Sequence, residues 1–196
     1  MHQRLPPLLA SGMVFLLLLR GIPWVNGVFG QSPVPDSVFQ KLQLLGGEIL
    51  VPADADIRNL PLGDEEAQDW DFALRDRNHQ REVRYLFSPD SSQTHPSPDM
   101  AVYRLVLNLC ANEENSIITA RDLSEDELLD WHRCDGGKIF QFPPKSRLGY
   151  FTFGRLTYLY RVGRGKVIIC LLYNDPKSLP EGYTFSFRFL GDGPEN

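Results

Sequence analysis

Apolar and polar positions follow three rhythms along this chain. Leu5 to Leu19 is almost continuously apolar and is stopped by Arg20. The middle of the chain mixes helical spacing with short alternating stretches, and the last sixty residues are strand-like. Val38, Phe39, Leu42 and Leu45 fall on one face of a short helix that Asp36 opens and Gly46-Gly47 closes, since glycine accepts the left-handed geometry of a helix end. Glu48 to Val51 then reads as a strand ended by Pro52, and residues 52–69 as turn-rich and acidic. Trp70–Arg75 and Glu82–Phe87 alternate as half-buried strands do, and the polar run Asp76–Arg81 suits a hairpin connection. Ser88 to Pro98, with three prolines, predicts an exposed loop.

Ser97 suits the cap and Pro98 the first turn of a second helix, in which Val102, Leu105, Val106, Leu109 and Cys110 recur at helical spacing. Ser124 followed by Glu127 fits a capping box for a third helix. Leu128, Leu129 and Trp131 supply its apolar content, and Gly136-Gly137 end it. Leu148 to Val162 reads as strand, Gly163-Arg164-Gly165 as a turn, and Lys166 to Tyr173 as a strand with no free polar face. An apolar strand of that kind is covered on both sides and belongs at the centre of a sheet. Tyr183 to Phe189 places four aromatics on one face, predicting a strand laid over the core with its other face wet.

These elements predict an α+β chain: a single domain with a mostly antiparallel, twisted sheet and about two packed helices, preceded by a signal peptide. The expected boundaries are 1–30 for the signal peptide, 31–47 for a linker and short helix, 48–190 for the globular domain and 191–196 for a tail. The strand Glu48–Pro52, two more strands, a helix and a closing run of long antiparallel strands resemble the PsbP/Mog1-like α/β/α sandwich over roughly residues 44–190. The likeness lies in element order, and the segment Ser124–Arg133 is an addition to it. It implies a non-catalytic assembly or interaction protein and assigns no site residues.

The leader has the tripartite layout of an export signal: His2 and Arg4, the apolar run, then small residues at peptidase spacing before Val28 or Gln31. An uncleaved anchor is the alternative, but about 20 apolar residues are needed to span a bilayer, and this run contains Pro6 and Pro7. A secreted or periplasmic location is therefore expected, with no permanent membrane span favoured. Removal of residues 1–30 takes away Arg4 and Arg20 and no acid, moving the formal charge of the 196-residue chain from −5 to −7. That balance argues against nucleic acid as a partner, which is gripped through a basic excess.

Candidate chemistry is sparse. Export gives Cys110, Cys134 and Cys170 access to oxidation, with three possible pairings and one thiol left over. Cys110 and Cys170 equally suit buried thiols, and Cys134, after a helix end, is the most exposed by position. His132 and Cys134 form a single His-x-Cys pair, too few ligands for zinc. The ordinary role of His132 is a solvent-facing histidine near a helix C-terminus. Asp54, Asp56, Asp64, Glu65, Glu66, Asp69 and Asp71 offer oxygens for calcium or acid–base work, but their spacing is not that of an EF-hand, and a solvated charge run is the simpler account. No nucleophile elbow, P-loop or dinucleotide turn is present, and no cofactor is implied. Arg155, Arg161, Arg164 and Lys166 make the final hairpin basic, and Tyr150, Phe151, Phe153, Tyr158 and Tyr160 interleave with them. The resulting expectation is an exported, non-enzymatic binding or assembly module that uses its sheet face or this hairpin on a protein or small ligand. The alternatives are an exported hydrolase with an acidic or Cys-His site, and a tethered extracytoplasmic domain.

Overall fold

The computed structural model describes residues 34–49, 55–58, 70–76, 80–90, 98, 100–176 and 187–191, with 55–58 and 76 described in backbone alone. The leader 1–30, the acidic residues 59–69, the cap Ser97, Tyr183–Ser186 and all but the first residue of the tail lie outside the described residues. In chain order the elements are α1 (Asp36–Leu45), β1 (Gly47–Ile49), β2 (Ala55–Arg58), β3 (Phe72–Asp76), β4 (Arg81–Pro89), α2 (Met100–Leu109) and β5 (Thr119–Asp122). Then come a π-helical turn (Glu127–His132), β6 (Gly136–Phe142), a 3-10 turn (Ser146–Leu148), β7 (Phe153–Arg161), β8 (Gly165–Tyr173) and β9 (Phe187–Phe189).

The apolar strand predicted at Lys166–Tyr173 is the central strand of a seven-stranded antiparallel sheet in the order β2-β3-β4-β8-β7-β6-β5. Side chains alternate across it, and both faces are buried. Val167, Ile169, Leu171 and Tyr173 join Val83, Tyr85, Phe87, Ile139 and Leu159 on one face. Ile168, Cys170 and Leu172 join Phe140, Phe142, Leu156, Tyr158 and Tyr160 on the other.

α2 covers the second face through Val102, Leu105, Val106 and Leu109. α1 covers the first through Val38, Leu42 and Leu45, together with a two-stranded ribbon of β1 and β9. A ten-residue helix is marginal alone, whereas three buried aliphatic side chains contribute roughly 1.5–3 kcal/mol apiece, so packing holds α1 in place. Gly46, at φ 58°, closes it and donates its N–H to the carbonyls of Gln43 and Leu42. Gly165, at φ 123°, is required for a different reason: a Cβ there would lie 2.3 Å from the Ser88 carbonyl oxygen and 2.6 Å from the Asp90 nitrogen, both backbone.

On the α2 face a carboxylate is buried between two guanidinium groups. Glu82 is 0% exposed and Arg84 5%. Arg75 Nε donates to Glu82 Oε2 at 2.7 Å and Arg84 Nε to Oε1 at 2.8 Å. Arg75 also lies over the Phe151 ring at 5.7 Å.

Several expectations are corrected. The strand after α1 pairs with β9 and does not join the main sheet, and its Ile49 is buried in the same cluster as Phe187 and Phe189. The turn-rich stretch contains β2, an edge strand. β4 continues through Ser88 and Pro89 and ends opposite Gly165. β5 adds a strand beyond those expected, exposed along its whole length and without apolar alternation. At Tyr183–Phe189 only the last three residues are described: Phe187 and Phe189 are buried, and Arg188 between them pairs with Glu48.

Candidate functional site

Three unusual features coincide on the face carrying α1 and the ribbon. The capping box forms as its residues suggest: the Ser124 N–H donates to Glu127 Oε2 at 2.8 Å and the Glu127 N–H to Ser124 Oγ at 3.3 Å. The cap leads into a π-helical turn, a wide form often found where function needs side chains re-aimed. The turn ends at Arg133, the only non-glycine at positive φ (52°) among the described residues. Arg133 therefore does the work expected of Gly136-Gly137, which open β6 instead.

The wider turn changes which side chains point inward. Leu129 and Trp131, expected as apolar content, are 59% and 42% exposed, while Glu127 and His132 are buried at 7% each. His132 is thus not the solvent-facing residue expected. Its Nδ1 lies 2.6 Å from the Phe187 carbonyl oxygen. A carbonyl only accepts, so Nδ1 carries the proton and Nε2 the lone pair. Burial pushes the His132 pKa down, with Arg155 adding to that effect and the Phe187 carbonyl and Glu127 opposing it. The ring is neutral at neutral pH.

Cys134 is buried as well, against the expected exposure, and burial pushes its thiol up to about 12. That is the opposite of what an attacking thiolate needs. All three cysteines are free and buried; Cys134 packs on one face of the sheet and Cys110 and Cys170 on the other.

Glu127 is bound from two sides. Arg121 Nη1 donates to its Oε2 at 2.6 Å and Nη2 to its Oε1 at 2.7 Å, a bidentate fork. That guanidinium, chiefly, and the Ser124 cap hold the carboxyl down to about 2 against the opposing effect of burial. A carboxylate with a lowered pKa stabilises the fold fully above its unfolded value and loses that contribution as pH falls through the folded one. Wild-type protein is therefore expected to exceed Glu127→Gln in urea midpoint above pH 4.5, and the gap to close as pH falls from there to about 2. A gap that persists unchanged at the bottom of that range would refute the assignment.

Arg155 lies in the same neighbourhood. On β7 it sits between Gln141 of β6 and Leu171 of β8. It is half-buried, and burial first, then the positive charge of Arg121, lowers its pKa, while Glu127 and Tyr173 act the other way. Tyr173 stacks on Phe153 at 5.4 Å, and burial raises its phenol despite the nearby Arg155. The side chain of Arg155 makes no hydrogen bond or ion pair with another described residue.

The other cations singled out in the sequence are placed differently. Arg161 shares the face of Arg155 but donates through Nη1 to the carbonyls of Leu190 (2.9 Å) and Arg133 (3.3 Å), and lies over the Phe189 ring at 5.9 Å. Arg164, in the turn, lies against Gly46 beyond the end of α1. Lys166 is on the opposite face, in line with Ile168 and Cys170. The four do not form one patch. Of the acidic run, Asp71 is engaged, accepting from Lys41 Nζ at 2.6 Å and from the Phe87 N–H at 2.7 Å. The backbone of Asp56 lies in β2, and Asp54, Asp64, Glu65, Glu66 and Asp69 are outside the described residues.

Arg121, Glu127 and Tyr173 belong to this neighbourhood although sequence reasoning does not single them out as site residues. Glu127 is legible only as a cap, Arg121 stands in a strand without apolar alternation, and Tyr173 reads as core. Among the described residues no three His, Cys, Asp or Glu side chains converge on a point where a metal ion could be held, and no helix is long and apolar enough to cross a membrane. Comparison with family models, with curated proteins and with solved structures found no match.

Proposed function

We propose that the chain is an exported, non-enzymatic binding or assembly module whose contact surface is the sheet face around Arg155. The observation that carries this reading is the difference among the four hairpin cations. Arg161 is committed to backbone carbonyls and Arg164 and Lys166 have partners of their own, whereas Arg155 has none among the described residues. An unneutralised guanidinium held partly out of water is costly, and an external anion would offset that cost. A protonated Cys134 thiol and a carboxylate locked by Arg121 favour work by contact over bond-making. The element order that resembles the PsbP/Mog1-like sandwich supports the same class. Export rests on the apolar leader, and the amino-terminal residue of the purified protein tests it: Val28 or Gln31 means cleavage, Met1 a tether.

The binding surface is tested by recovering the protein from its native source and identifying what stays bound. Arg155→Ala is expected to lose that molecule and Lys166→Ala, on the opposite face, to keep it. Retention by both variants would sink the proposal.

A further inference from the structure

We infer that Arg155 is the anchor of a binding site for a monoanionic carboxylate, a site that rests on the contact surface just proposed and gives it a ligand class. Charge and geometry both point there. Among the described residues Glu127 is the one carboxylate whose charge acts on Arg155, and both its oxygens are already taken, by the Arg121 fork and by the Ser124 N–H. Arg121, Arg155 and Glu127 together carry one net positive charge. A carboxylate brings that sum to zero, whereas a phosphate dianion would leave a negative charge in a half-buried place.

The surroundings fit the same class. A guanidinium presents two parallel N–H groups that match the two oxygens of a carboxylate. Gln141 neighbours Arg155 on β6, and its Oε1 accepts from Thr119 Oγ1 at 3.5 Å, which leaves its amide nitrogen as a donor. On the other side the stacked pair Phe153 and Tyr173 forms an aromatic wall. The ligand is therefore a carboxylate carried on an apolar or aromatic body, not a bare inorganic anion.

The test uses benzoate and inorganic phosphate as probes on the full mature chain, following the Arg155 Nε–H resonance by NMR. Benzoate is expected to shift that resonance with saturation at about 1 mM, a weak single-site affinity. In Arg155→Lys, which keeps the charge and loses the fork, the benzoate-induced shift of the Gln141 amide should need about tenfold more ligand. Phosphate should give no saturating shift. Amide spectra that overlay outside the site show that the variant is folded. A wild-type protein that does not saturate with benzoate, or that prefers phosphate, overturns the inference. If benzoate fails while Arg155→Ala still releases the native partner, the carboxylate assignment falls and the contact surface stands. If benzoate binds and the Ala variant keeps its partner, the contact surface falls and the carboxylate site stands.

Discussion

Glu82→Gln is expected to lower the unfolding free energy by about 3–5 kcal/mol, the usual cost of removing one partner from a buried ion pair. Glu82 is fully buried under α2's side of the sheet and accepts from Arg75 and Arg84 through different oxygens. Arg75 is partly exposed, lies over Phe151 and can turn outward toward water. Arg84, at 5%, cannot, so the loss falls on Arg84. The neutral amide keeps the shape but not the charge, which isolates the electrostatic part. The double variant Glu82→Leu with Arg84→Met removes both buried charges and should recover most of the loss, because well-packed apolar groups replace buried pairs at little cost. Urea unfolding checks both. A single variant within about 1 kcal/mol of wild type would mean that water reaches Arg84.

Phe187→Ala is expected to cost about 3–5 kcal/mol, the range for deleting a buried aromatic side chain. Its ring is fully buried between Phe87, at 6.1 Å, and Phe189, at 4.9 Å, and it rests on Gly47, where a Cβ would come within 2.2 Å of Cζ. No side chain can sit at Gly47 without displacing this ring. Because the carbonyl that accepts from His132 belongs to the backbone, the variant removes packing while leaving that hydrogen bond a partner. Phe187→Leu should fall between the two. The loss should appear as a lower midpoint in one cooperative transition, since the ribbon, α1 and the sheet face share one core. A separate early transition for the ribbon would contradict that shared core.

Where burial follows local spacing, the sequence predicts well. α1 and α2 lie where their apolar residues recur, β3 and β4 pair as a hairpin, and β8 is central because nothing along Val167–Tyr173 wants water. β5 escapes because a fully exposed edge strand has no apolar periodicity to read. The turn at Glu127–His132 misleads for a subtler reason. Apolar character alone marks Leu129 and Trp131 as the content of a helix there, whereas the wider π turn buries Glu127 and His132 and leaves those two exposed. Only the Ser124 and Glu127 caps are legible there, being a contact between near neighbours.

The site divides in the same way. Arg155, Arg161, Arg164 and Lys166 are visible as a basic hairpin, but alternation across the sheet splits them. Arg161 is spent on the carbonyls of Leu190 and Arg133, residues distant in sequence. The sequence alone determined the α+β class, a mostly antiparallel sheet and the two helices packed on it, because these depend on which side chains avoid water at regular intervals. The tertiary structure alone decided that Glu127 faces Arg121, that His132 is buried against Phe187 and that Arg155 has no counter-ion among the described residues. Charge neutralisation depends on distances between strands far apart in the chain, and no periodicity along it records them.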